Sequence, residues 1–194
     1  EDWGTQKPPL GIKIDWSNPI TKGLVGCWVF NEGGGDKVYD LSGYGNTGTL
    51  TNMAFPSTTS SGWNPGKDGS AIAFDGDDDY VNCGNIISSG LNAYSVSVWI
   101  KSNGTGGTSR DFVACDTNNP GHLWRLKHDS ETDKFIYSWR DGSDIDRAIY
   151  SDNTVTEGLW YHYVMTNSGT NQYVYVNGIK QTASASYNGF NLSV

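Results

Sequence analysis

A chain of 194 residues with a net charge of −8 and a pI near 4.6 is long enough for one large domain. It carries the wrong sign for sequence-independent nucleic-acid binding, which needs cations to displace counterions from phosphate. The 36% apolar fraction is supplemented by 25 glycines, so a sizeable core is available; no run of about 18 apolar residues exists to insert in a membrane. Abundant Tyr and Trp (11 and 8) beside four Glu and nine Leu favour strands and turns over helices. Cys27, Cys83 and Cys115 form an odd set without a CxxC spacing. One bridge with a spare thiol and three buried thiols both fit it. The chain begins Glu1-Asp2-Trp3 and is expected to be a piece of something longer.

Residues 1–22 read as an extended arm, because Pro8, Pro9 and Pro19 oppose helix and push their predecessors toward extended geometry. Trp3, Ile12, Ile14 and Trp16 could pack on the same domain or dock the arm onto a neighbouring subunit. Residues 23–30 then predict a buried strand. Leu24, Gly26, Trp28 and Phe30 share one face and Val25, Cys27 and Val29 the other, until the Gly33-Gly34-Gly35 triplet ends it. The segment 38–50, with spaced glycines between Asp and Asn, predicts a loop held by side-chain-to-backbone hydrogen bonds; 51–68 predicts a second long loop. Short strands are expected at 71–74 and 80–81, joined by the acidic turn Asp75-Gly76-Asp77-Asp78-Asp79.

Residues 94–101 alternate cleanly, with Tyr94, Val96, Val98 and Ile100 facing one way and Ser95, Ser97, Trp99 and Lys101 the other. After a Gly/Thr loop at 103–109, strands are predicted near 111–115, 123–127 and 134–140, the last aligning Phe135, Tyr137 and Trp139. A strand at 160–166 precedes a hairpin, 172–176 and 179–182, around Asn177-Gly178. Many short strands with no helical period predict an all-β, two-sheet antiparallel sandwich or jelly roll.

Six segments in this order, GLVGCWVFNEGGG, VYDLSGYGNTGTL, GSAIAFDGDDDYV, YSVSVWIK, GLWYHYVMTNSG and YVYVNGIKQT, resemble a laminin-G-like domain of the concanavalin A-like lectin/glucanase superfamily. The resemblance spans roughly residues 23–182 and implies a jelly roll with one concave sheet. The jelly roll is thus expected over 23–194, apparently without the closing strand such domains carry after their last hairpin. The lead-in around Lys7-Pro8-Pro9 and Asp15-Trp16-Ser17-Asn18-Pro19 is similar to that of bacteriophage structural proteins.

The superfamily's glucanases place their carboxylates as Glu-x-Asp-x-x-Glu on one strand. Glu1, Glu32, Glu131 and Glu157 belong to no such run, so no enzyme is expected. His122, His128 and His162 are scattered, and His162 reads as a structural residue within a strand. The 75–79 turn begins like an EF-hand but has Tyr80 and Ile86 at the positions needing Gly and Glu, although its carboxylates could still hold Ca²⁺. Loop 40–48 resembles the place where some relatives hold structural Ca²⁺, which implies Asp40 and Asn46 as ligands; an ion-less Asx-turn loop is the rival. For a sugar, the candidate platform is Trp99, Trp124, Arg125, Trp139, Arg140 and Asp141, with Tyr137 beside Trp139. Core is the rival place for the aromatic residues and the favoured one for Tyr137 and Trp139, which share a face with Phe135. Trp99, opposite Val96, Val98 and Ile100, is assigned to the concave face or a place under the arm. The resulting expectation is a non-catalytic recognition module of an extracellular or virion surface protein, binding a glycan or protein surface. The alternative is a purely structural virion component assembling with neighbouring subunits through its arm.

Overall fold

The computed structural model describes residues 11, 13–86, 93–103, 110–116, 122–140 and 146–186. Trp3, Ile12, Asp141 and the tail 187–194 lie outside them. The chain divides into two compact units, Glu1–Ile86 and Ile87–Val194.

Among its described residues the first unit has one 3-10 turn, Pro19–Thr21. Asn18 caps it by accepting the Ile20 N–H, and Pro19 occupies the first position, where no N–H is needed. Strands β1 (Lys37–Val38), β2 (Gly48–Thr51) and β5 (Tyr80–Asn82) form an antiparallel sheet in the order β1-β2-β5, while β3 (Gly62–Pro65) pairs with β4 (Ser70–Ala73). Val38, Leu50, Met53 and Trp63 make its core, with Trp28, Phe30, Ile72 and Val81 against them. Gly48 is required by close packing: a Cβ there would lie 2.5 Å from Val38 Cγ2 and 2.6 Å from Val81 Cγ1.

Three expectations fail in this unit, the smallest being the loop over 38–50, whose two ends belong to β1 and β2. Residues 23–30 form no strand; among the described residues their one ladder contact is a bridge between Trp28 and Asp40, and Val25 is exposed. The cause is that side chains of the following loop occupy this backbone. Asp40 takes the Cys27 N–H and the Asn46 amide donates to the Val25 carbonyl, while Phe30 turns to a φ of 56° that an extended run cannot hold. The second loop, 51–68, contains β3, which the Ser/Thr/Pro-rich composition conceals.

The second unit is a sandwich. Strands β6 (Tyr94–Lys101), β11 (Trp160–Asn167), β12 (Asn171–Val176) and β13 (Ile179–Ser186) form one antiparallel sheet, ordered β13-β12-β11-β6. Strands β7 (Arg110–Asp116), β8 (His122–Asp129), β9 (Lys134–Arg140) and β10 (Asp146–Tyr150) form the other, ordered β10-β9-β8-β7. Alternation aims Ile100, Tyr163, Met165 and Val174 from one sheet at Trp124, Leu126, Phe135, Tyr137, Trp139 and Ile149 from the other, in one continuous core. The Asn177-Gly178 turn has φ of 50° and 79°, the left-handed pair that a tight hairpin demands. Strand β10 is not anticipated, because Asp146-Arg147-Ala148-Ile149-Tyr150 carries only one core residue, Ile149.

All three cysteines stand outside any disulfide. Burial first, and Asp40 second, raise the Cys27 thiol and push that of Cys83 up to about 11.

Candidate functional site

The outer face of the β13-β12-β11-β6 sheet is the clearest surface on which a ligand could rest. Register aligns its residues in rows across the strands: Lys101 beside Trp160, Trp99 beside His162, Ser97 beside Val164 and Tyr175, and Ser95 beside Thr166 and Tyr173. Lys180 joins the Tyr175 row from β13. Rows lie about 6.7 Å apart along the strands, so the aromatic residues from Trp160 to Tyr173 span about 20 Å.

Trp99, on the outer strand β6 of this sheet, is 51% exposed. Its ring stacks on His162, with centroids 5.1 Å apart and planes at 21°, and His162 Nε2 lies 2.8 Å from Ser97 Oγ. The His162 backbone N–H donates to Asn177 Oδ1. A ring held by that stack loses little rotamer freedom on binding, which favours it as an anchor. Partial burial lowers the His162 pKa, so at neutral pH the stack is uncharged. The Lys101 ammonium lies 5.4 Å above the Trp160 ring and that of Lys180 3.7 Å above Tyr173.

The six residues expected to form one platform are not brought together. Trp99 lies on the outer face just described. Trp124 and Trp139, 3% and 1% exposed, are core residues: Trp139 stacks on Tyr137, and Trp124 on Tyr94. This corrects their expected ligand role, since strand alternation turns both rings inward, where neither offers a face to a sugar. Arg125, on the outer face of the opposite sheet, is paired with Asp111 at 3.1 Å. By alternation from Trp139, Arg140 also points out of that opposite sheet. Asp141 is outside the described residues.

Sequence reasoning put Lys101 on the face of Trp99 but missed Trp160, Tyr173, Tyr175 and Lys180 as its companions. Their alternation was legible; what the chain does not spell out is that β6 pairs with β11.

Of Asp40 and Asn46, the expected calcium ligands, Asp40 is engaged by nearby N–H and O–H donors. Asp40 Oδ1 accepts the N–H groups of Cys27 and Ser42, both at 2.9 Å. Its Oδ2 accepts the Ser42 hydroxyl at 2.7 Å and the Asn46 N–H at 3.1 Å. The Ser42 contacts are those of an Asx turn, and a cation reaching Asp40 would compete with these donors. In the acidic turn, carboxylate oxygens of Asp75, Asp78 and Asp79 lie within 4.8 Å of one another. Asp75 and Asp79 also accept N–H groups of that same turn, and Asp78 accepts the Asn52 amide.

His128 is a buried residue of the sandwich interior, its Nδ1 3.1 Å from Ser102 Oγ and its Nε2 3.8 Å from Asp133. Burial lowers its pKa and Arg110 adds to this, against the opposing pull of Asp133, Glu157 and Asp129. With its folded pKa below the unfolded value of about 6.5, its contribution to stability is complete above that pH and declines as pH falls through it. Melting temperatures taken between pH 7 and pH 5 should therefore fall more steeply for the native chain than for His128→Gln. Parallel slopes would show that His128 is not the group responsible.

A family model described as the concanavalin A-like lectin/glucanases superfamily matches residues 75–193. No curated protein matches the chain. Among solved structures, domain 4 of AbnA, a GH43 extracellular arabinanase from Geobacillus stearothermophilus seen in complex with arabinotriose, is similar at 21% identity. Its TM-score is 0.61, covering 80% of this chain and 73% of that one. The binding domain of Paraclostridial Mosquitocidal Protein 1 is similar at 18% identity and a TM-score of 0.52, over 81% of this chain and 40% of that one. The family match takes in more than half of the chain and the whole β6–β13 sandwich, and on that ground the chain belongs to the laminin-G-like domains of the concanavalin A-like lectin/glucanase superfamily.

Proposed function

We propose that this chain is a non-catalytic glycan-recognition module of an extracellular protein, and that its binding surface is the outer face of the β13-β12-β11-β6 sheet. The observation that carries this reading is Trp99, half exposed, held by His162 and flanked by Trp160 and Tyr175 on one open face. Sugar rings present C–H faces that stack on such residues, and Ser95, Ser97 and Thr166 supply hydroxyls between them. The arabinotriose bound by the arabinanase domain shows that a domain of related fold takes an oligosaccharide. The strands of this face carry no carboxylate to act as acid or nucleophile, which supports binding without hydrolysis.

A glycan array run with Ca²⁺ and again with EDTA tests the proposal. Trp99→Ala should weaken the specific signal about tenfold or more. Its melting temperature should change little, because the ring lies outside the core. A blank array, or a signal indifferent to Trp99, would overturn it.

A second reading, a structural virion component assembling through the arm, is favoured by the exposure of Trp16 and Ile20 in the lead-in. Deleting residues 1–22 should leave glycan binding intact under the first reading and abolish self-assembly under the second, as followed by sedimentation.

A further inference from the structure

Charge is distributed unevenly over this molecule. The chain has 21 acidic residues against 13 Lys and Arg, yet strands β6, β11, β12 and β13 contain no Asp or Glu at all. The strands of the opposite sheet mix both signs, Asp111, Asp116, Asp129 and Asp146 standing among Arg110, Arg125, Lys127, Lys134, Arg140 and Arg147. On the acid-poor sheet two cations face outward, Lys101 in the Trp160 row and Lys180 in the Tyr175 row, on its two outer strands. Among the described residues neither ammonium is paired with a carboxylate; each rests over an aromatic ring instead. Elsewhere Lys37, Lys67 and Arg125 all have acidic partners.

We infer that the ligand of this face is an anionic linear polysaccharide, of the uronic-acid class. The inference rests on the glycan reading above and narrows it. In a protein of net charge −8, a generic face would carry acids; one cleared of them, with two uncompensated ammoniums, lowers the cost of approach for a polyanion and raises it for a cation. The spread of the aromatic residues over about 20 Å suits a chain crossing several rows rather than one terminal sugar. A carboxylate on the sugar would meet Lys101 or Lys180 while the ring stacks on Trp99, Tyr175 or Tyr173. Both ammoniums are pre-positioned over rings, so less side-chain freedom is lost when they engage.

The test uses the whole chain and matched polymers: polygalacturonate, alginate and hyaluronate, each alongside its carboxyl-reduced, neutral counterpart. The expected result is measurable binding to at least one acidic polymer, about tenfold tighter than to its reduced form and weakened as NaCl rises from low to high concentration. Lys101→Met and Lys180→Met, which keep the apolar stem, should each cost about fivefold for the acidic polymer and nothing for the neutral one. Lys37→Met, in the other unit, should change neither. Equal affinity for the acidic and reduced forms, or lysine variants that bind the acidic polymer as the native chain does, would overturn the inference and leave the glycan reading standing. Binding to neither form, with the glycan array also blank, would overturn both.

Discussion

Phe135→Ala should lower the stability of the second unit by about 3–5 kcal/mol, the largest effect expected of any single substitution in it. Phe135 is 1% exposed and surrounded by rings. It stacks on Tyr163 at 4.9 Å between centroids and meets Tyr161, Phe112 and His128 edge-on, within 6.3 Å in every case. Rigid aromatic neighbours cannot collapse into the space an alanine would leave, so the loss includes a cavity as well as the buried area. The local backbone holds the site open too, since the Phe135 N–H donates to Ser151 Oγ and its carbonyl accepts the Ser151 N–H. Urea unfolding should show a lower midpoint with an unchanged slope. Phe135→Leu, which keeps most of the volume, should cost about 1–2 kcal/mol. A loss under about 1 kcal/mol for the alanine variant would mean that the two sheets do not meet at this ring.

The second large effect belongs to Asp40. Asp40→Ala should destabilise the first unit by about 3 kcal/mol, because it strands four donors that now converge on one carboxylate. Asp40→Asn should cost less, since its amide oxygen still accepts from part of the set, although its NH2 then faces the remaining donors. Burial alone would raise this carboxyl's pKa, but the hydrogen bonds from Ser42, Cys27 and Asn46 together outweigh it and hold the group below the usual range. The folded pKa is thus below the unfolded one, so the contribution is whole above about pH 4 and is lost as pH falls through the folded value. EDTA should leave the melting temperature of the native chain unchanged. A drop with EDTA that Asp40→Asn removes would restore the metal reading of this loop.

How much of this was legible in the sequence differs from element to element. Strand β6 was readable to the residue, because its eight positions alternate without a break. The hairpin was readable because Asn177-Gly178 admits few backbone conformations. Residues 23–30 misled, since an apolar run looks the same whether its backbone is satisfied by a neighbouring strand or by the side chains of Asp40 and Asn46. The candidate platform failed at Trp124 and Trp139 for a related reason. For Trp139 the shared face with Phe135 and Tyr137 already favoured the core, whereas for Trp124 it is the contact with Tyr94 that decides it. Trp99 was distinguishable because its own strand supplied the contrast, three apolar neighbours facing the other way.

Strand β9 has five successive buried residues, 135–139, and lies between β8 and β10 with hydrogen-bonded partners on both sides. Most sandwich strands leave one side wet, and water reaches their amides by small local fluctuations. The β9 amides have no such route and can exchange their protons only when the whole second unit opens. Deuterium uptake at Tyr137 and Ser138 therefore serves as an internal gauge of that unit's global unfolding free energy. The same experiment, read at Ser97 and Trp99 on the outermost strand β6, follows the shallower openings of the binding face, so a bound polysaccharide would announce itself as slowed exchange there before any change is seen at β9.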